Sequence, residues 1–177
     1  MEKFDDILTR LNVELSFISD LFEKHQKNPP RNKNAPPVAA AITWAQSLYR
    51  RAKRPIMRFK TMETGKSERW NHTKDIYLSI ARRIDSYVQR KYETWHKTVS
   101  DIAMKFLAQP VFGPPLTTDL AAQGFLISSP PYHVNFAPEL VALVKEAKAL
   151  DRMGFPVPEA ALNIALQEIK FSRFSQD

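Results

Sequence analysis

"SERWNHTKDIYLSIARRIDSYVQRKYETWHKTVSDIAMKFL", residues 67–107, decides the fold. Ile76, Ile80, Ile84, Val88, Trp95, Val99, Ile102 and Phe106 recur close to every 3.6 residues, the spacing that lines one face of an α-helix. No proline or glycine interrupts the chain between Lys66 and Pro110. A helix over 67–107 would be roughly 60 Å long at ~1.5 Å per residue. That length suits an elongated bundle better than a round core.

Working outward, the same period governs most of the chain. Phe4, Ile7, Leu8, Leu11, Leu15, Ile18, Leu21 and Phe22 form one stripe and predict a helix over 3–26. "NPPRNKNAPP" (28–37) holds four prolines in ten residues and cannot continue it, so 27–37 is a proline-rich loop. Pro37 suits a first helical turn, where a missing N–H costs nothing. Beyond it, Val38, Ile42, Ala45, Tyr49, Ala52, Ile56 and Phe59 predict a helix over 38–60, with a kink or break near Arg51 because Pro55 removes a backbone bond there.

Residues 108–136 read as irregular. A small β-hairpin is the one strand element expected, near 125–136, where "FLISSPPYHVNF" has two short apolar runs around a Ser-Ser-Pro-Pro turn. A helical hairpin is predicted over 138–171. Leu140, Leu143, Ala147 and Leu150 mark its first arm, Gly154 the stop, and Leu162, Ala165, Leu166 and Ile169 the second. The expected fold class is therefore all-α: an elongated helical bundle with one long central helix and a C-terminal helical hairpin, forming one segment over 1–177.

Bulk composition narrows the function. In 177 residues, 44% are hydrophobic and 25% charged, which is not a disordered composition. There is no cysteine, which removes disulfides and thiolate metal sites. "MEKFDDILTR" lacks the basic and apolar blocks of a secretory signal, and no apolar run approaches the ~18 residues of a membrane span. A soluble intracellular chain, or a piece of one, is the expectation.

Candidate chemistry is sparse. "TGKS" (64–67) resembles the end of a phosphate-binding loop, but Lys60 stands where the first glycine is required and no apolar strand precedes it. His25, His72, His96 and His133 are scattered without i, i+4 pairing. Carboxylates are spread along polar faces, with no paired acid and base. The expectation is no enzyme, no catalytic or metal residues and no cofactor. The stronger signal is charge: between Glu23 and Glu63 there is no acid but ten cations, including Arg50, Arg51, Arg54 and Arg58. Such a run can track phosphates or dock on an acidic protein surface.

Two blocks carry a resemblance. "NPPRNKNAPPVAAAITWAQSLYRRAKRPIMRF" (28–59) resembles a segment of the dynein heavy chain tail, where "PPVAGAI-WA--L" follows a "K-PP" loop. "FLISSPPYHVNFAPELVALVKEAKALDRMGFPVPEAALNIALQE" (125–168) is similar to that region's "VNFDPEL…E-K-L…GF-VP" block, in the same order. The resemblance covers about residues 15–171. Ala40 departs from the family's usual glycine, and Ala137 from its usual aspartate, a loss of a side-chain cap that typically costs ~1 kcal/mol.

What the resemblance implies is a non-catalytic tail segment, without the ATPase ring or microtubule-binding stalk of the parent motor, so the chain looks like a fragment or a truncated gene. The implied partners are dynein intermediate and light-intermediate chains and neighbouring heavy-chain tail bundles, with no membrane. The implied location is the cytoplasm and cytoskeleton, leaning to the ciliary axoneme. Trp44, Tyr49 and Trp95 are the expected packing anchors, and Arg50, Arg51, Arg54 and Arg58 the expected outward contacts. The rival reading is a free-standing basic helical protein that binds nucleic acid, which the lack of a recognised nucleic-acid module disfavours.

Overall fold

In the first helix, Leu8, Leu11, Leu15, Ile18 and Phe22 are spaced 3, 4, 3 and 4 apart, and all are at most 5% exposed. That seam is the reason α1 (Glu2–His25) forms a bundle helix. The computed structural model describes residues 2–31, 33–60, 68–107, 112–113, 133–134 and 138–174, with side chains over 5–31, 33–59, 68–105 and 138–166. The chain divides into two compact units, Met1–Trp95 and His96–Asp177.

The first unit contains α1, α2 (Pro37–Lys60) and most of α3 (Glu68–Leu107). Side-chain pairs fix its topology. Phe22 meets Trp44 and Glu14 meets Arg51, so α1 and α2 run antiparallel. Asp5 meets Arg69 and Glu23 meets Arg83, so α1 and α3 run parallel. The result is an up-down-up arrangement. Its interior holds Leu15, Ile18, Ile42, Ala45 and Ile84, none more than 2% exposed. Each of the large aliphatic ones contributes about 1.5–3 kcal/mol through burial. Thr73 is fully buried, and its hydroxyl donates to the Arg69 carbonyl at 3.0 Å.

Proline chemistry explains how α2 starts. The Pro36 carbonyl accepts the Ala40 N–H at 2.9 Å, and Pro37 takes the first helical position. Of the kink or break expected near Arg51, the break does not occur. The helix runs unbroken from Pro37 to Lys60 with Pro55 inside it. Ala52 and Ile56 flank that proline and are 1% and 6% exposed, so packing on both sides holds the turn against a cost of ~3 kcal/mol.

In the second unit, α4 (Pro138–Arg152) and α5 (Glu159–Phe174) form a helical hairpin. Leu140, Leu143, Val144, Ala147 and Leu150 are buried on α4, with Ala161, Ile164 and Ala165 on α5; Glu146 is buried at 4% exposure. The turn follows from Gly154, whose φ of 81° is left-handed. The Phe155 N–H donates to the Leu150 carbonyl at 3.0 Å, and the Gly154 N–H to the Asp151 carbonyl at 2.9 Å. This is the double bond pattern of a Schellman stop. The Leu162 N–H then donates to the Pro158 carbonyl at 3.0 Å, opening α5.

Among the described residues the fold is all-α apart from one two-residue bridge. β1 (Phe112–Gly113) pairs antiparallel with β2 (His133–Val134), Phe112 opposite Val134. Of the hairpin expected near 125–136 only His133 and Val134 are described, and these pair with Phe112–Gly113. Short-range pattern reading sees only adjacent runs, whereas backbone pairing needs no local partner. The remainder of 125–136, "TGKS", Ala137 and the side chains of Phe4, Phe106 and Ile169 lie outside the described residues.

Candidate interaction face

The basic arginines of α2 project at different angles, and their surroundings differ accordingly. Arg51 faces α1. Its Nε donates to Glu14 Oε1 at 2.5 Å, and its guanidinium lies 5.2 Å from the Phe17 ring centroid. Arg51 is therefore engaged within the chain. Arg50 and Arg54 are exposed, one helical turn apart, and neither makes an ion pair among the described residues. Arg58 is exposed on the following turn. Between them Met57 is 49% exposed.

Behind this face sits an aromatic cluster. Trp44 stacks on Phe22 with centroids 5.8 Å apart, and Tyr87 meets both edge-on, at 5.5 Å from Phe22 and 6.3 Å from Trp44. Such pairs add about 0.5–1.5 kcal/mol beyond area burial. Arg83 covers the far side of Phe22 at 5.9 Å while donating to Glu23 at 2.7 Å and Ser19 at 3.1 Å. Of the expected anchors, Trp44 is half-buried in this cluster. Tyr49 is half-buried beside Tyr77, under the Lys53 ammonium at 5.4 Å. Trp95 is half-buried against Tyr92 at 6.4 Å.

Two aromatic anchors were not singled out by the sequence reading, Tyr87 and Trp70, at 2% and 7% exposure; Phe22, at 3%, was placed on the stripe of the first helix but not named as an anchor. Trp70 packs on Phe59 at 5.8 Å. A usable signal existed. Trp70, Thr73, Tyr77, Ile80, Ile84 and Tyr87 are spaced 3, 4, 3, 4 and 3 apart, a heptad seam that the four-residue series from Ile76 obscured.

Two tyrosines have perturbed acidity. Tyr77 is pushed up to about 12, first by burial and then by its hydrogen bond to Tyr49 and that neighbour's charge. Tyr87 is raised by burial, partly offset by the Arg90 charge. Its hydroxyl is buried with no hydrogen-bond partner among the described residues, as is Asn12 Oδ1.

Among the described residues, two clefts lie between the helices of the first unit. One of 410 Å³ lies between α2 and α3, where Arg82 and Asp85 are its charged lining groups beside Tyr49. Another of 500 Å³ lies between α1 and α3, near Asp5, Arg69 and His72. Among the described residues no three His, Cys, Asp or Glu side chains converge as a metal site would need. Nor is any helix among them long and apolar enough to cross a membrane. What the geometry offers is a basic, partly apolar exposed surface on α2.

Comparison with known proteins bears on that surface. All of residues 1–177 match the family described as "Dynein heavy chain, N-terminal region 1". The chain is 34% identical over 169 residues, 94% of its length, to human dynein axonemal heavy chain 10. It is 37% identical over 174 residues, 97% of its length, to the dynein-1-alpha heavy chain of the flagellar inner arm I1 complex of Chlamydomonas reinhardtii. It is 27% identical over 96% of its length to the dynein gamma chain of the flagellar outer arm of the same alga. The chain spans about 4% of the length of these relatives. With a helical bundle, the two proline-led motif blocks and a family match from end to end, this chain belongs to the dynein heavy chains, within their N-terminal region.

Proposed function

We propose that the chain is a non-catalytic assembly segment of a dynein heavy chain tail. It packs among neighbouring bundles of the stem and helps to hold dynein intermediate and light-intermediate chains. The parent is then a minus-end-directed microtubule motor whose ATPase lies elsewhere in the heavy chain. The axonemal and flagellar names of the relatives support a place in the cytoskeleton of the cilium. The observation that carries the reading is the match to the N-terminal region over every residue. The nucleic-acid alternative rests on the basic run alone.

The test is co-elution with recombinant dynein intermediate chain on a sizing column at near-physiological salt. A stable complex with a folded chain is the expected result. A helical, soluble chain that elutes apart from the intermediate chain counts against its part in holding that partner.

A further inference from the structure

We infer that the outward face of α2 is a docking strip for an acidic amphipathic helix of a partner chain. The inference rests on the assembly reading above and adds to it the surface and the chemistry that surface recognises. Thr43, Ser47, Arg50, Arg54 and Met57 follow one another at spacings of 4, 3, 4 and 3, all exposed. They form a single line along the helix, opposite the core positions Ile42, Ala45, Ala52 and Ile56.

Each part of the line has a consequence. Thr43 and Ser47 are short, and their hydroxyls donate back to the Ala39 and Trp44 carbonyls at 2.8 and 2.6 Å. They make little polar demand on a visitor and leave room for close approach, at interaxial distances of about 8–10 Å. Arg50 and Arg54 stand one turn apart, about 5–6 Å between β-carbons. Carboxylates at i and i+4 on a facing helix match that interval. Met57 is a flexible, exposed apolar contact of the kind that accepts varied partners.

Charge complementarity identifies the occupant. α2 contains no acid, so the strip has no counter-charge on its own helix. The nearby acid of α1, Glu14, is already taken by Arg51. Like charges at i, i+4 repel, and an acidic partner relieves that repulsion. The apolar Met57 within the strip favours a protein helix over a phosphate backbone, which would use cations alone.

The experiment uses the full chain and a labelled synthetic helix bearing glutamates at i, i+4 beside leucines, read by fluorescence anisotropy. Controls are a scrambled peptide, the same peptide with lysine for glutamate, and duplex DNA. The expected result is selective binding of the acidic helix, weakened about tenfold or more by Arg50→Glu/Arg54→Glu, as for a charge pair at an interface. Arg50→Ala/Arg54→Ala should weaken it less, with the circular dichroism of both variants unchanged.

The proposal is overturned by equal binding of the scrambled peptide, by indifference to both double variants, by no binding, or by tighter binding of DNA that collapses with salt. The intermediate-chain column is a separate readout. A complex that survives Arg50→Glu/Arg54→Glu overturns the strip and leaves the assembly reading standing. Peptide binding by a chain that ignores the intermediate chain does the reverse.

Discussion

The Trp44 indole lies over the Phe22 ring with centroids 5.8 Å apart and planes 11° from parallel, and Tyr87 closes the cluster from α3. One residue from each helix of the first unit therefore meets at a single point. Trp44→Ala should cost about 3 kcal/mol, the usual range for removing a large packed aromatic. Chemical denaturation followed by circular dichroism checks this, and a loss under 1 kcal/mol would show that the cluster is incidental.

Tyr87 makes the opposite prediction. Its ring is in the core but its hydroxyl has no hydrogen-bond partner among the described residues. Tyr87→Phe keeps the ring contacts and removes an unsatisfied buried group, so stability should stay level or rise by up to about 1 kcal/mol. A clear fall in thermal midpoint would mean that the hydroxyl is serving an interaction.

Alkaline pH should find Tyr77. Its folded pKa is raised from 10.0 to about 12, so the folded state retains a proton that the unfolded chain has released. Its contribution is fully present below pH 10 and is lost as pH rises from 10 towards 12. Tyr77→Phe should flatten that alkaline loss. Tyrosinate absorbance during base titration gives the check, with an unshifted Tyr77 as the contrary result. Tyr87, raised in the same direction, adds to the loss with the same sign.

Gly154 should be the least replaceable glycine among the described residues. A Cβ there would meet nothing within 4 Å, so crowding is not the issue. Its φ of 81° is. Gly154→Ala should destabilise the α4–α5 hairpin by about 1–2 kcal/mol through backbone strain alone. Thermal denaturation compared with a surface Ala control measures it.

Arg51 and Glu14 should be only weakly coupled. Their side chains are 48% and 40% exposed, so solvent screens the pair. A double-mutant cycle should give a coupling of about 1 kcal/mol or less, falling with added salt. Arg51→Ala should also affect partner binding far less than changes at Arg50 and Arg54.

Much of this was legible because burial follows spacing. Leu8, Leu11, Leu15, Ile18 and Phe22 lie in the core for the same reason that they form a seam on paper, and Gly154 is left-handed where a helix needed a stop. The pairing of the exposed Arg51 with Glu14 was not legible, since Glu14 lies 37 residues away and no local pattern links them. Nor was the continuity at Pro55, where local propensity opposed the helix and the packing of Ala52 and Ile56 prevailed. The pairing of Phe112–Gly113 with His133–Val134 was not legible for the same reason: it is a long-range meeting of short, unremarkable segments.

The division between the two compact units falls at Trp95–His96, inside the unbroken span of α3. Domains usually part at exposed, pliable joints, but here the seam is crossed by consecutive backbone hydrogen bonds. A protease seeking a hinge at that point finds a helix instead. Residues 95 and 96 are joined by helical backbone, so cleavage between them first requires a local unwinding of α3.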